Sequence, residues 1–158
     1  MSHWLFRHLP FDRQRKEGFK KGFTMVELLM TVVIVGILAA IAIQQFTSYK
    51  TKEQNATATV DIRNIESQIE RYRILNGSPP ATLAAANIIP PIDPWGNAYI
   101  YVNPPNRLDN YGNPLNKDYD LLSMGQNGQT ALQLSLTNAL DDIIRGRGGA
   151  YIGLASKY

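Results

Sequence analysis

The sequence predicts an α+β fold in which a long amino-terminal α-helix packs, by its second half, against a small antiparallel β-sheet. Two observations predict this fold. An apolar run over residues 28–43 continues into residues 44–72, which contain neither glycine nor proline. Beyond Pro80 the chain instead holds short segments rich in aromatic and β-branched residues, separated by turn residues. Strands that follow a single long helix are typical of an α+β domain, and 158 residues leave room for one.

The first half of the predicted helix is apolar enough to span a membrane. Residues 28–43 read LLMTVVIVGILAAIAI and carry no charge. Together with residues 23–26 they approach the roughly 20 residues that cross a bilayer. A basic block ends at Lys21, so the positive-inside rule places residues 1–21 in the cytoplasm and exports the remainder. We therefore expect a single-pass inner-membrane protein with an extracytoplasmic carboxy-terminal domain.

The second half of the helix has one apolar face. That face recurs at steps of 3, 4 and 3 residues, at Ile62, Ile65, Ile69 and Tyr72. Asn76-Gly77 supplies a helix stop, and the prolines that follow prevent continuation. The pattern predicts one helix from Phe23 to about Asn76, with the isoleucine face against its own domain.

Three strands are predicted after the helix. They cover residues 98–102, 118–124 and 150–155, and a turn at residues 93–97 (DPWGN) precedes the first. Residues 81–89 are predicted as a short weak helix or an irregular turn. Residues 145–149 (RGRGG) are predicted as a flexible connection to the last strand. Trp95 is interpreted as an aromatic lid on the sheet.

Composition argues against an enzyme and against direct nucleic-acid binding. The first 22 residues hold six of the 16 Lys and Arg and two of the 13 Asp and Glu, so the rest of the chain has a net charge of −1. Both histidines, His3 and His8, lie in that segment, and there is no cysteine. The usual nucleophile pairs and zinc ligand sets are therefore missing from residues 23–158. The glycines near Arg145 match neither a P-loop nor a dinucleotide fingerprint.

Glu27 stands at the head of the apolar run. An isolated carboxylate in a spanning helix costs about 2.5–3.5 kcal/mol. The helix dipole stabilises a carboxylate in the first turn by only about 0.3–1 kcal/mol, which does not offset that cost. No Lys or Arg occurs between Lys21 and Lys50, so we expect the cationic partner to be an amine created by cutting the chain after Gly22. An ordinary single-span anchor and a secretory signal peptide are the alternatives.

Residues 20–29 (KKGFTMVELL) resemble the class III signal of type IV prepilins and type II secretion pseudopilins. The resemblance implies that a prepilin peptidase cuts between Gly22 and Phe23 and that the Phe23 amine is methylated. It also implies that Glu27 pairs with the Phe23 amine of a neighbouring subunit. The expected organisation is a leader (1–22), an assembly helix (23–46) and a globular domain (47–158).

The second half resembles the major pseudopilin of type II secretion, through DPWGNAYIYV and, about twenty residues later, DYDLLSMGQNG. The implied function is a structural subunit of a secretion pseudopilus. Its implied partners are itself, the prepilin peptidase, an inner-membrane assembly platform with its ATPase, and minor pseudopilins. A type IV pilin for adhesion, motility or DNA uptake stays open, as does a membrane-anchored binding domain that never polymerises.

The chain departs from that family pattern at two points. Gln44 stands where the family usually has a proline, so local melting of the helix between Gly36 and Gln44 is not forced. The family also binds calcium after the serine-x-glycine turn, with an aspartate where this chain has Asn127. Asn127, Asp141 and Asp142 are the candidate calcium ligands, although fewer acids lower the affinity. The alternative is that Asp141 and Asp142 are solvated residues in a helical turn.

Overall fold

The computed structural model describes residues 22–158. Helix α1 runs without interruption over Met25–Asn76, through Gly36 and Gln44. It ends as predicted: Gly77 has a φ of 82°, and its N–H donates to the carbonyl of Arg73 at 2.7 Å. Residues 43–158 form one compact unit, and the described residues before them, 22–42, belong to another.

A four-stranded antiparallel sheet follows the helix. Its strands are β1 (Ile100–Val102), β2 (Asp120–Ser123), β3 (Ile143–Gly146) and β4 (Tyr151–Leu154). Each strand pairs with the next one along the chain, so the spatial order is β1-β2-β3-β4. Leu122 fixes the register at the centre, opposite Ile100 on one side and Ile144 on the other. The predicted α+β fold and three of its four strands are confirmed.

The helix packs against one face of this sheet. Ile62, Ile65 and Ile69 are buried, as their spacing predicts, while Tyr72 is half-buried. The three isoleucines belong to a cluster with Tyr99, Tyr119, Leu121 and Ile143. Because successive residues of a strand point to opposite faces, a second cluster forms on the other side of the sheet. Its buried members are Leu115, Leu122, Leu134, Ile144 and Ala155.

The prediction of a flexible connection over residues 145–149 is wrong. Arg145 and Gly146 belong to β3, which the sequence analysis missed, and only Arg147–Gly149 form a short 3-10 turn that leads into β4. Strand β3 is four residues long and contains a charged residue, so it lacks the alternation that marks a strand. Asp142, immediately before β3, is fully buried, so the interpretation of it as a solvated residue is also wrong.

Arg145 is the charge that ties the helix to the sheet. Its guanidinium donates to Oε1 of Glu66 on α1 at 2.6 Å and to both carboxylate oxygens of Asp118 at 2.9 and 2.8 Å. It also lies 4.0 Å from the centroid of the Tyr119 ring, a cation–π distance. Burial alone would raise the pKa of Asp118, but the hydrogen bond and charge of Arg145 and the backbone N–H of Tyr119 together outweigh it, and the pKa lies below its usual value.

The predicted turn at residues 93–97 is an aspartate-centred turn. Oδ1 of Asp93 accepts hydrogen bonds from the N–H groups of Trp95 and Asn97, at 3.1 and 2.7 Å. Oδ2 accepts a hydrogen bond from the hydroxyl of Ser123 at 2.5 Å, which links the turn to the end of β2. Trp95 is partly buried and packs against the core between helix and sheet, in the position expected of a lid.

Candidate functional site at the start of the helix

Helix α1 begins with an N-cap threonine, Thr24, in the T-x-x-E sequence of a capping box. Thr24 precedes the first helical residue, and its hydroxyl oxygen accepts the N–H of Glu27 at 3.2 Å. The Glu27 side chain turns back, with Oε2 3.5 Å from the same hydroxyl. Threonine at the N-cap and glutamate three residues later is the usual form of this motif. The sequence analysis overlooked Thr24, although the T-x-x-E spacing ahead of an apolar run was a readable signal.

Thr24 gives the Glu27 carboxylate a hydrogen-bonding neighbour but no compensating charge. Four salt bridges occur within residues 22–158, and none of them includes Glu27. A carboxylate close to a helix N-terminus is stabilised by about 0.3–1 kcal/mol. The start of an apolar helix therefore presents an exposed carboxylate whose negative charge is uncompensated by any side chain in the part of the protein that the structure describes.

Gly22 and Phe23 lie ahead of the helix and are exposed. A β-carbon built at Gly22 would meet no atom within 4 Å, so the described chain gives no packing reason for glycine at this position. Phe23 is 70% exposed. The rest of the expected leader, residues 1–21, lies outside the described residues, and neither the cleavage nor the pairing of Glu27 with Phe23 is tested by these observations.

The first half of α1 exposes an unbroken apolar surface. Every residue from 24 to 50 is exposed, and the helix contains a stretch long and apolar enough to cross a membrane, none of it buried. Large apolar side chains rarely stay in water over such an area in a soluble monomer. The segment is therefore suited to anchoring in a bilayer or to packing against other helices.

The three candidate calcium ligands do not converge. Asn127 and Asp141 are joined by hydrogen bonds, but the carboxylate of Asp142 faces Thr130 and Arg107. Within residues 22–158 there is no group of three or more acidic, histidine or cysteine side chains placed to hold a metal ion. One oxygen of Asp142 is buried without a hydrogen-bond partner, yet the other already contacts a guanidinium. This donor set does not fit calcium, which takes six to eight oxygens.

The architecture defines the class of protein first. An uninterrupted helix with an exposed apolar first half continues into a domain built on a small antiparallel sheet, and this is the architecture of a pilin-like protein. Residues 19–43 match the family model of the prokaryotic N-terminal methylation motif. The chain has no significant match among solved structures.

Curated relatives then identify the family. The chain is 30% identical over 140 residues to the type II secretion system core protein G of Escherichia coli, an alignment that covers 75% of this chain and 90% of the relative. It is 28% identical to core protein G of Pseudomonas aeruginosa (73% and 89% covered) and 29% identical to that of Vibrio cholerae (73% and 86% covered). The chain belongs to the type II secretion system core protein G family, the major pseudopilins.

Proposed function

We propose that this major pseudopilin is matured by cleavage between Gly22 and Phe23 and polymerises through the first half of α1 into a pseudopilus that supports protein export. The observation that carries the proposal is the uncompensated carboxylate of Glu27 at the head of an exposed apolar helix. A polymer supplies what residues 22–158 of a single chain lack, since it brings apolar helices together and can place the Phe23 ammonium of one subunit beside the Glu27 carboxylate of the next.

The proposed partners are those that membership of the family implies. A prepilin peptidase removes residues 1–22 and methylates Phe23, and an inner-membrane platform with its ATPase extracts subunits that wait in the bilayer. Minor pseudopilins join the filament, and the domain formed by residues 47–158 stays on the extracytoplasmic side. The protein acts as a structural subunit and not as an enzyme. The absence of histidine and cysteine from residues 23–158 supports that role.

The substitution Glu27→Gln tests the mechanism. Removing one partner of a buried ion pair leaves the other charge uncompensated, which costs about 3–5 kcal/mol. We expect the variant to insert into the membrane and to be cleaved, but not to form filaments. The measurement is the amount of subunit in sheared filaments and in membranes of cells that contain the peptidase and the assembly machinery.

Thr24→Ala is the matched control. It removes the hydroxyl of the capping box but keeps the carboxylate of Glu27, and the loss of a cap costs about 1 kcal/mol. This variant should still assemble if the charge of Glu27 is what matters. Normal filaments from Glu27→Gln would eliminate the pairing mechanism and favour a membrane-anchored domain that does not polymerise.

A further inference from the structure

The loop between β2 and β3, residues 124–142, is closed by direct hydrogen bonds between its two ends. The backbone N–H of Asn127 donates to Oδ2 of Asp141 at 2.8 Å, and the side-chain Nδ2 of Asn127 donates to Oδ1 of Asp141 at 2.6 Å. We call this two-point contact the Asn127–Asp141 clasp. The same Nδ2 lies 3.3 Å from the carbonyl of Asn138, so the amide nitrogen faces acceptors on two sides.

The orientation of the Asn127 amide is set from its other side as well. Its Oδ1 accepts the N–H of Gln129 at 2.6 Å. Because the N–H of Gln129 can donate only to the oxygen of the Asn127 amide, the nitrogen of that amide must face Asp141. An aspartate at position 127 would replace this N–H donor with a second carboxylate oxygen next to Oδ1 of Asp141. Two carboxylates that share a site need a proton or a cation between them.

Asp141 has little room to move away from such a clash. Gly125 is buried with a φ of 62°, and a β-carbon built on it would overlap the backbone carbonyl and Oδ2 of Asp141. The backbone at residue 125 therefore lies directly against Asp141. Asp141 therefore cannot move toward residue 125 to separate from a second carboxylate at position 127.

The other acid of the pair, Asp142, has a cation of the chain itself beside one of its two oxygens, while its Oδ1 is buried without a hydrogen-bond partner. Its Oδ2 accepts from the hydroxyl of Thr130 and lies 3.4 Å from a guanidinium nitrogen of Arg107. The same guanidinium donates to the carbonyl of Ala131 at 2.8 Å and to Thr130 Oγ1 at 2.6 Å. Arg107 is buried, so a fixed positive charge cross-links the middle of the loop to its end.

We infer that this chain closes the 124–142 loop without calcium, with the amide of Asn127 and the guanidinium of Arg107 in the roles that a bound divalent cation has in the family it resembles. The inference concerns the stability of the domain and is independent of filament assembly. It also has a converse: one substitution, Asn127→Asp, should make the loop dependent on calcium.

The first test uses the full-length chain in detergent micelles, with calcium or with the chelator EGTA. Chymotrypsin reports on the loop, because Leu132, Leu136 and Leu140 are exposed within it. We expect the wild-type cleavage rate and melting temperature to be the same in both buffers. Faster cleavage or a lower melting temperature in EGTA, reversed by calcium, would overturn the inference.

The second test compares Asn127→Asp with Asn138→Asp. Both residues are exposed, but only the side chain of Asn127 contacts Asp141, so the control adds the same charge to the same loop outside the clasp. In EGTA, Asn127→Asp should lower the melting temperature by about 4 °C or more and speed cleavage, and calcium should restore both. Calorimetric titration should detect calcium binding to Asn127→Asp but not to wild type. Asn138→Asp should show neither effect. An Asn127→Asp variant that is as stable as wild type in EGTA would contradict the clasp.

Discussion

Nε of Arg145 lies 2.6 Å from Oε1 of Glu66, a contact that joins strand β3 to helix α1 across 79 residues of sequence. The Arg145 side chain is 1% exposed, whereas Glu66 and Asp118 keep 18% and 22% of their side chains in water. The cation is thus enclosed while its two anions reach the surface. This geometry holds the helix at a fixed position along the sheet, because an ion pair is directional in a way that isoleucine packing is not.

Arg145→Met should destabilise the domain strongly. The change leaves Glu66 and Asp118 facing each other without their cation, and breaking a buried pair costs about 3–5 kcal/mol. The measurement is urea unfolding of the full-length chain in micelles, followed by circular dichroism. Arg73→Met is the control, since Arg73 pairs with Glu70 on the helix surface and is 48% exposed. That pair should contribute at most about 0.5 kcal/mol, and equal losses from the two variants would refute the role of Arg145.

Acid should weaken the same network through Asp118. Its pKa is depressed in the folded chain, whereas an unfolded aspartate titrates near 3.9. The stabilisation is therefore fully present above about pH 4 and is lost as the pH falls through the folded pKa. Wild type should exceed Asp118→Asn in melting temperature at neutral pH, and the gap should shrink toward pH 2. In an Arg145→Met background this pH-dependent gap should shrink, because only the backbone N–H of Tyr119 still favours the carboxylate; an unchanged gap there would show that Arg145 is not its main cause.

A fragment of residues 48–158 should fold without the rest of the chain, and its folding should require the isoleucine face of α1. Ile65 is 1% exposed and Ile74, on the same helix, is 81% exposed. We expect deletion of residues 1–47 to leave a soluble monomer, checked by size-exclusion chromatography and circular dichroism. In that fragment Ile65→Ala should cost about 2–5 kcal/mol, whereas Ile74→Ala should change little. An unfolded fragment would place the boundary of the core further toward the amino terminus.

Gly22 should be required for maturation and not for folding. A β-carbon at position 22 meets nothing in the described chain, so Gly22→Ala should leave the domain intact and block cleavage, because the peptidase is expected to bind an extended backbone without a side chain there. Intact-mass measurement in a host with prepilin peptidase should show wild type without residues 1–22 and with a methylated Phe23. Gly36→Ala, also unobstructed, should be cleaved normally. Complete cleavage of Gly22→Ala would disprove the requirement.

Local sequence patterns were enough to predict much of the fold. The period of Ile62, Ile65 and Ile69 located the buried face of the helix, Asn76-Gly77 its end, and Asp93 the turn ahead of β1. Each of these features is determined by residues that are close together in the sequence. The same holds for the capping box at Thr24, which a search for threonine three residues before a glutamate would have found.

The features that were missed depend on residues far apart in sequence. In the sequence, Arg145 resembles a solvated charge beside glycines. Its partners Glu66 and Asp118 are close to it only in the folded chain. Asp142 likewise is buried only because Arg107 and Thr130 approach it from elsewhere in the chain. No local pattern marks such partners, so strand β3 and the two buried acid–arginine contacts could not be predicted from the sequence.

The strand order β1-β2-β3-β4 has a consequence for how the chain folds. Each strand meets its neighbour by closing a single connecting loop, and the entropy of loop closure grows only slowly with loop length. Contact between Glu66 and Arg145 instead requires closure over 79 residues. Since contacts between distant residues slow folding, we expect hairpins to form early and the helix to dock late. A newly synthesised chain would then hold its sheet together before its isoleucine face is covered.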